Sequence, residues 1–167
     1  MVSSRQPKSF KSLEGYDQNW NNLPAEEIER LIYLSGVSSL DREGIPTRFK
    51  SSIIPPEGVE DLIVHGVGSE PYNISLGVLL EGKRLFHFVE ALKILKKIMP
   101  RARVHLALNF HKGRLLEEAY KLTHQLDWLS VRPLDPKYPQ GYDEMLIPTI
   151  LNKRFPFGYS AANIGVV

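Results

Sequence analysis

Between residues 61 and 132 the apolar pattern of this chain switches repeatedly from strand-like runs to helix-like spacing and back, and few folds accommodate such an order. Residues 61–65 read Asp-Leu-Ile-Val-His with glycine directly after, which predicts a short buried strand. Apolar side chains at 85, 88, 89, 92, 95 and 99 share one side of a helix that Pro100 stops. Residues 102–108 suit a second strand, 113–126 a further helix and 128–132 a third strand. Strands separated by helix-length crossovers pair in parallel through right-handed connections.

The outer segments complete the pattern. Residues 1–22 are polar and without period, an N-terminal arm or linker, and residues 23–167 form the domain. Pro24, with Glu26 and Glu27 just after it and Ile28, Leu31, Ile32 and Leu34 on one side, predicts a helix ending near Gly36. Residues 37–58 contain Pro46, Pro55 and Pro56 and read as a long connection that can approach a ligand. A short helix is expected over 143–151, then an aromatic loop with Phe155, Phe157 and Tyr159, expected to pack onto the core or a neighbouring domain. The last run, Ile164-Gly-Val-Val167, is strand-like and suggests a domain cut from a longer polypeptide. The expected fold class is α/β: a three-layer Rossmann-like domain with a mainly parallel sheet of about four strands and helices on both faces. Ligands of such sheets bind at the carboxyl ends of the strands, here residues 65–70, 109–112 and 132–135.

Composition excludes several classes of function. Lys and Arg number 21 against 19 Asp and Glu with the signs interspersed, so no field draws in a nucleic acid. The chain has no cysteine, so an iron–sulfur cluster, a disulfide or a thiolate metal site has no ligands within this segment. No apolar run approaches the ~20 residues that span a bilayer. The five histidines form no HxxxH or HxH pair that would suggest a metal. His65 and His111 stand apart because both fall just past strand ends, where one cleft would bring them together, in a catalytic or a structural role. Gly66-Val-Gly68 lacks the third glycine of a dinucleotide fingerprint and reads as a tight turn, and no serine sits in a G-x-S-x-G elbow.

Lys137-Tyr-Pro-Gln-Gly141, followed by Leu146-Ile147 and Asn152-Lys-Arg154, resembles the KYPQG turn, helix and GRxVPPGG loop of RnfC-type electron-transport subunits. Asp61-Leu-Ile-Val-His-Gly-Val-Gly-Ser-Glu-Pro-Tyr72 resembles that family's DTLIVNGAECEPY. Residues 35–47 line up with its glycine-rich phosphate loop AGIVGLGGAGFPT, and residues 85–95 follow the pattern of its EGIRIL helix. The central domain of that family is similar to the NADH-binding flavoprotein subunit of complex I and to NqrA. The resemblance covers about residues 24–167. It implies FMN and NADH as cofactors, with Gly44, Thr47, Lys50, His65, Glu70 and Gly141 as the cofactor-binding candidates. It further implies a cytoplasmic position peripheral to the inner membrane, and as partners the other subunits of a membrane redox complex or adjoining domains of a longer chain.

The departures bear on whether that site survives. Where the family has Gly-Leu-Gly-Gly-Ala-Gly, this chain has Ser39-Leu-Asp-Arg-Glu-Gly44 and keeps one glycine of four. Glycine there lets bare backbone approach phosphate oxygens. Asp41 and Glu43 instead bring carboxylates toward a dianion, each opposing it by ~1 kcal/mol in water and ~4 at an effective dielectric of 20 and 4 Å, which Arg42 offsets only in part. His65 and Gly68 replace the family's Asn and first Glu, while Glu70 is kept. The expectation is a retained fold with an eroded flavin and NADH site and a structural or partner-docking role. The alternative is a working FMN- and NADH-binding oxidoreductase domain, with the backbone at Gly44, Thr47 and Gly141 taking phosphate and Arg48 or Lys50 compensating charge.

Overall fold

The computed structural model describes residues 19–36, 58–68, 76–154 and 156–167. The chain divides into two compact units, Met1–Arg48 and Phe49–Val167. In the first, a 3-10 turn at Trp20–Asn22 precedes helix α1 (Ala25–Leu34). Pro24 supplies the extended entry to α1, and Glu26 and Glu27 sit where the free N–H groups of the first turn favour negative charge. Glu27 also accepts two hydrogen bonds from Arg30 at 2.6 and 2.8 Å. The helix stops where the periodicity predicts, with Gly36 at φ 68°.

The second unit runs β1 (Asp61–Gly66), α2 (Lys83–Ile98), β2 (Arg103–Asn109), α3 (Gly113–Thr123), β3 (Leu129–Leu134) and α4 (Asp143–Leu151). The three strands form one sheet in the order β1-β2-β3, parallel throughout, with Asp61 opposite Arg103 and Val104 opposite Leu129. This register sorts the side chains. Leu62, Val104, Leu106, Leu108, Leu129 and Val131 lie on one face and are buried, each contributing roughly 1.5–3 kcal/mol relative to exposure. On the other face, Leu146 and Ile150 of α4 pack with Ile63, Ala107, Leu134 and Val67. The α3 helix packs along β3. Both crossovers advance the sheet in one direction, so right-handed connections put α2 and α3 over the same face.

The sheet has three strands among the described residues, where about four were expected. Of the strand-like run Ile164-Gly-Val-Val167, Ile164 closes a 3-10 turn (Ala161–Ile164) and Gly165 sits at φ 74°, so the run meets β1 only through an isolated parallel bridge between Val166 and Asp61. Of the two placements expected for the aromatic loop, the core is not the one taken by its described residues: Phe157 is fully exposed and Tyr159 is 56% exposed. Its chain turns outward through Gly158 at φ 80°, while residues on either side are tied to β1. Helix α2 begins two residues before its apolar stripe, because Gly82 at φ 56° redirects the chain into it after a 3-10 turn at Leu76–Leu80.

Candidate functional site

Ligands of parallel sheets collect where the strands end. β1 ends at Gly66, and Val67 and Gly68 follow. A Cβ on Gly66 would stand 2.5 Å from Leu76 Cδ2 and 3.1 Å from the Ala107 carbonyl oxygen, so the space that this glycine leaves is filled by the chain's own Leu76. Gly68, at φ 66°, makes the turn expected of the Gly-Val-Gly run. His65 is exposed at the end of β1, opposite Ala107 on β2.

After β2, Asn109 Oδ1 accepts from the His111 backbone N–H at 2.9 Å and closes a turn. The turn places the Phe110 and His111 rings 4.0 Å apart and tilted by 34°. His111 Nε2 lies 3.8 Å from Asp135, just past β3, and Lys137 Nζ is 2.8 Å from the same carboxyl group. The Asp135 hydrogen bond raises the pKa of Lys137. Lys137-Tyr-Pro-Gln-Gly141 then folds back through a cis Tyr138–Pro139 bond, with Gln140 N–H donating to Lys137 O at 2.7 Å and Gln140 Nε2 to Thr149 Oγ1 at 3.1 Å. This is the setting of Gly141, one of the sequence-derived candidates. His65 belongs to β1, whereas Gly141 belongs to the turn leading into α4. Gly44, Thr47, Lys50 and Glu70 lie outside the described residues, as does the connection containing Asp41 and Glu43.

A cavity of about 710 Å³ opens between the N-termini of α2 and α3. Gly82 and Gly113 give it bare backbone, Lys112 and Arg114 positive charge, Val78, Leu80 and Leu85 apolar wall, and Glu81 and Glu118 opposing charge. Neither His65 nor Gly141 lines it. Sequence reasoning passed over this place because its residues come from two helix starts and an aperiodic 3-10 turn.

At the opposite, amino-terminal end of the sheet is a buried polar cluster that the sequence pattern also left unmarked. Asp61 is fully buried and His105 is 3% exposed. His105 Nε2 lies 2.9 Å from Asp61 Oδ1, and its Nδ1 is 2.9 Å from Ser130 Oγ and 3.4 Å from Arg132 Nε. Arg103 Nε donates to Asp61 Oδ1 at 3.1 Å and Lys153 Nζ to Asp61 Oδ2 at 3.0 Å. Burial pulls the Asp61 pKa upward, but the bonds from His105 and Lys153 outweigh it and leave the carboxyl below its usual range. Burial is also the largest influence on His105 and lowers its pKa, against the pull of Asp61, so the ring is neutral at neutral pH. The Ser130–His105–Asp61 chain has the residue types of a hydrolase triad. It is built into the strands at the end remote from their carboxyl termini, and Ser130 Oγ bonds the Val104 carbonyl at 3.3 Å, which makes its work structural. Polar residues at alternate positions of otherwise apolar strands were the available signal.

Comparison with known proteins places this geometry among relatives. Residues 32–167 match the family described as the Nuo51 FMN-binding domain. The chain is 27% identical over 160 residues to the C component of the Na(+)-translocating ferredoxin:NAD(+) oxidoreductase complex of Acetobacterium woodii, covering 96% of this chain and 34% of that protein. It is 26% identical over 151 residues to the C component of the proton-translocating ferredoxin:NAD(+) oxidoreductase complex of Clostridium ljungdahlii, covering 90% and 32%. With the C component of the ion-translocating oxidoreductase complex of Haemophilus influenzae Rd, identity is 25% over 170 residues, covering 97% and 20%. The chain thus spans about a third or less of the length of these relatives.

Proposed function

The chain belongs to the Nuo51 FMN-binding domain family, and on that premise we propose that it serves an RnfC-like electron-transport subunit as a domain whose flavin and NADH site is eroded. Its work is then to hold partner subunits of a membrane-associated redox complex, or adjoining domains, on the cytoplasmic side of the inner membrane. The relatives from ion-translocating oxidoreductase complexes supply that context.

One observation carries the proposed erosion: by the resemblance, Ser39, Asp41 and Arg42 stand where the family has glycine and Glu43 where it has alanine, so two carboxylates enter the loop expected to seat a phosphate. A donor set containing two carboxylates and one glycine does not fit a phosphoryl dianion, whose charge calls for bare N–H groups and cations. Gly66 supports the same reading, since its open side is taken by Leu76. Of the candidates, His65 and Gly141 belong to separate elements, and the roles of Gly44, Thr47, Lys50 and Glu70 rest on the family resemblance.

Visible absorbance and flavin fluorescence of the purified protein, before and after incubation with FMN, test the proposal together with NADH-dependent dye reduction. The expected result is a colourless protein with no dye reduction. A yellow protein that reduces dye with NADH would restore the alternative, an active FMN- and NADH-binding oxidoreductase domain.

A further inference from the structure

Residues 153–167 return to the free side of β1 as a strap. At one end Lys153 Nζ donates to Asp61 Oδ2 at 3.0 Å, to Glu60 Oε2 at 2.9 Å and to the Ile164 carbonyl at 3.5 Å. At the other, Gly165 O accepts from the backbone N–H groups of Glu60 and Asp61 at 2.9 and 3.2 Å. Val167 N–H donates to Asp61 O at 3.0 Å, and Val167 O accepts from Ile63 N–H at 2.8 Å. Asp61 therefore grips the strap with its main chain and its carboxylate together. Between these ties the strap lifts into solvent at Phe157 and Tyr159.

The proton inventory around His105 decides how firmly that carboxylate is held. An ionised carboxylate only accepts, so His105 Nε2 donates to Asp61 Oδ1 at 2.9 Å. In the neutral ring Nδ1 then carries the lone pair, accepting from Arg132 Nε at 3.4 Å and facing Ser130 Oγ at 2.9 Å. A second proton on Nδ1 reverses this. Ser130 can adapt by donating to Val104 O, 3.3 Å away, and accepting from Nδ1–H. Arg132 cannot, because its N–H would face another donor. The charged groups facing the ring are Asp61 from β1, with Glu60 just before it, Arg103 from β2, Arg132 from β3 and Lys153 from the strap. Protonation makes four cations for two carboxylates. Arg103 and Arg132 are fixed in strands, whereas Lys153 belongs to the strap and its side chain is already 29% exposed.

We propose that protonation of His105 loosens Lys153 from Asp61 and releases the 153–167 strap from β1, a proton-operated device that bares the backbone edge at Asp61 and Ile63. Because burial holds the ring below its ordinary value of 6.5, release belongs to the acidic side of that value. The device is independent of whether the domain binds flavin.

Nuclear magnetic resonance of the full chain from about pH 8 to about pH 5 tests it, reading the His105 ring shift and the intrinsic-rate-corrected exchange protection along the seam between strap and β1. The amides bonded across this seam, those of Val167, Glu60, Asp61 and Ile63, should lose roughly tenfold in protection, about 1.4 kcal/mol, in step with the His105 titration. Leu106 and Leu108 in β2 should keep theirs. In His105→Gln the strap should stay protected at every pH. Strap protection unchanged through the His105 transition, or lost together with that of Leu106 and Leu108, would overturn the proposal, as would a pH-dependent strap in His105→Gln. Should that variant not fold, the natural chain still decides through the first two comparisons.

Discussion

Gly66 and Asp61, at the two ends of β1, do opposite jobs that a single substitution at each exposes. At Gly66 any Cβ meets Leu76 and the Ala107 carbonyl oxygen, and the carbonyl belongs to a strand that cannot retreat without breaking its ladder. Gly66→Ala is expected to cost about 1–3 kcal/mol, read as a lower urea midpoint with an unchanged slope. Asp61→Ala removes the acceptor for His105, Arg103 and Lys153 at once and leaves a buried imidazole N–H without its partner. Breaking a buried pair costs roughly 3–5 kcal/mol in general, and the exposed Arg103 guanidinium puts this one at about 3. A loss under about 1 kcal/mol in the same denaturation experiment would show that water replaces the cluster cheaply. The importance of these residues was only partly legible. The Gly-Val-Gly turn was read from sequence, but Leu76 as the filler of Gly66 was not, because a 3-10 turn carries no periodicity to place its side chains.

Among the elements, the strand–helix alternation and the parallel pairing were legible because each element announces its own period. The predicted strand at 61–65 and helix at 143–151 fall on β1 and α4 to within a residue. What the alternation did not contain was the cluster joining β1, β2, β3 and the strap, whose members lie 25 to 92 positions apart in the chain. The cluster sets the pH response of the sheet. His105 has a folded pKa below 6.5, so the unfolded chain binds its proton more readily and stability falls as pH drops below that value. Asp61, also depressed, adds a second loss once pH falls below its usual 3.8. Lys153 is raised above 10.5 by Glu60 and Asp61 against the effect of burial, so its contribution persists through neutral pH and is lost only as pH rises past its folded value. Urea midpoints at a series of pH values should therefore decline between neutral and mildly acidic conditions. The decline should flatten in His105→Gln, and an equal decline in that variant would assign it to other groups.

For the whole molecule, the proposed function separates a scaffold that follows the family from a loop, residues 39–44, whose sequence departs from the resemblance. The Lys137-Tyr-Pro-Gln-Gly141 turn, the β1 sequence and the parallel sheet survive, because they are held by backbone hydrogen bonds and apolar packing that a ligand need not supply. On the proposed reading, residues 39–44 have no such protection, since glycines that serve only a ligand are free to change once the ligand is lost. Kinship and fold could be read from sequence, while the reduction of the last run to a single bridge and the exposure of Phe157 and Tyr159 could not. Both of the latter depend on how residues 153–167 seat against β1. A calorimetric titration of FMN into the intact chain, run beside the Asp41→Gly/Glu43→Gly double variant, bears most directly on the proposed erosion. Expected is no saturable heat at micromolar FMN for the natural sequence, with affinity gained by about tenfold or more when the two charges are removed. Micromolar or tighter binding by the natural sequence would contradict it.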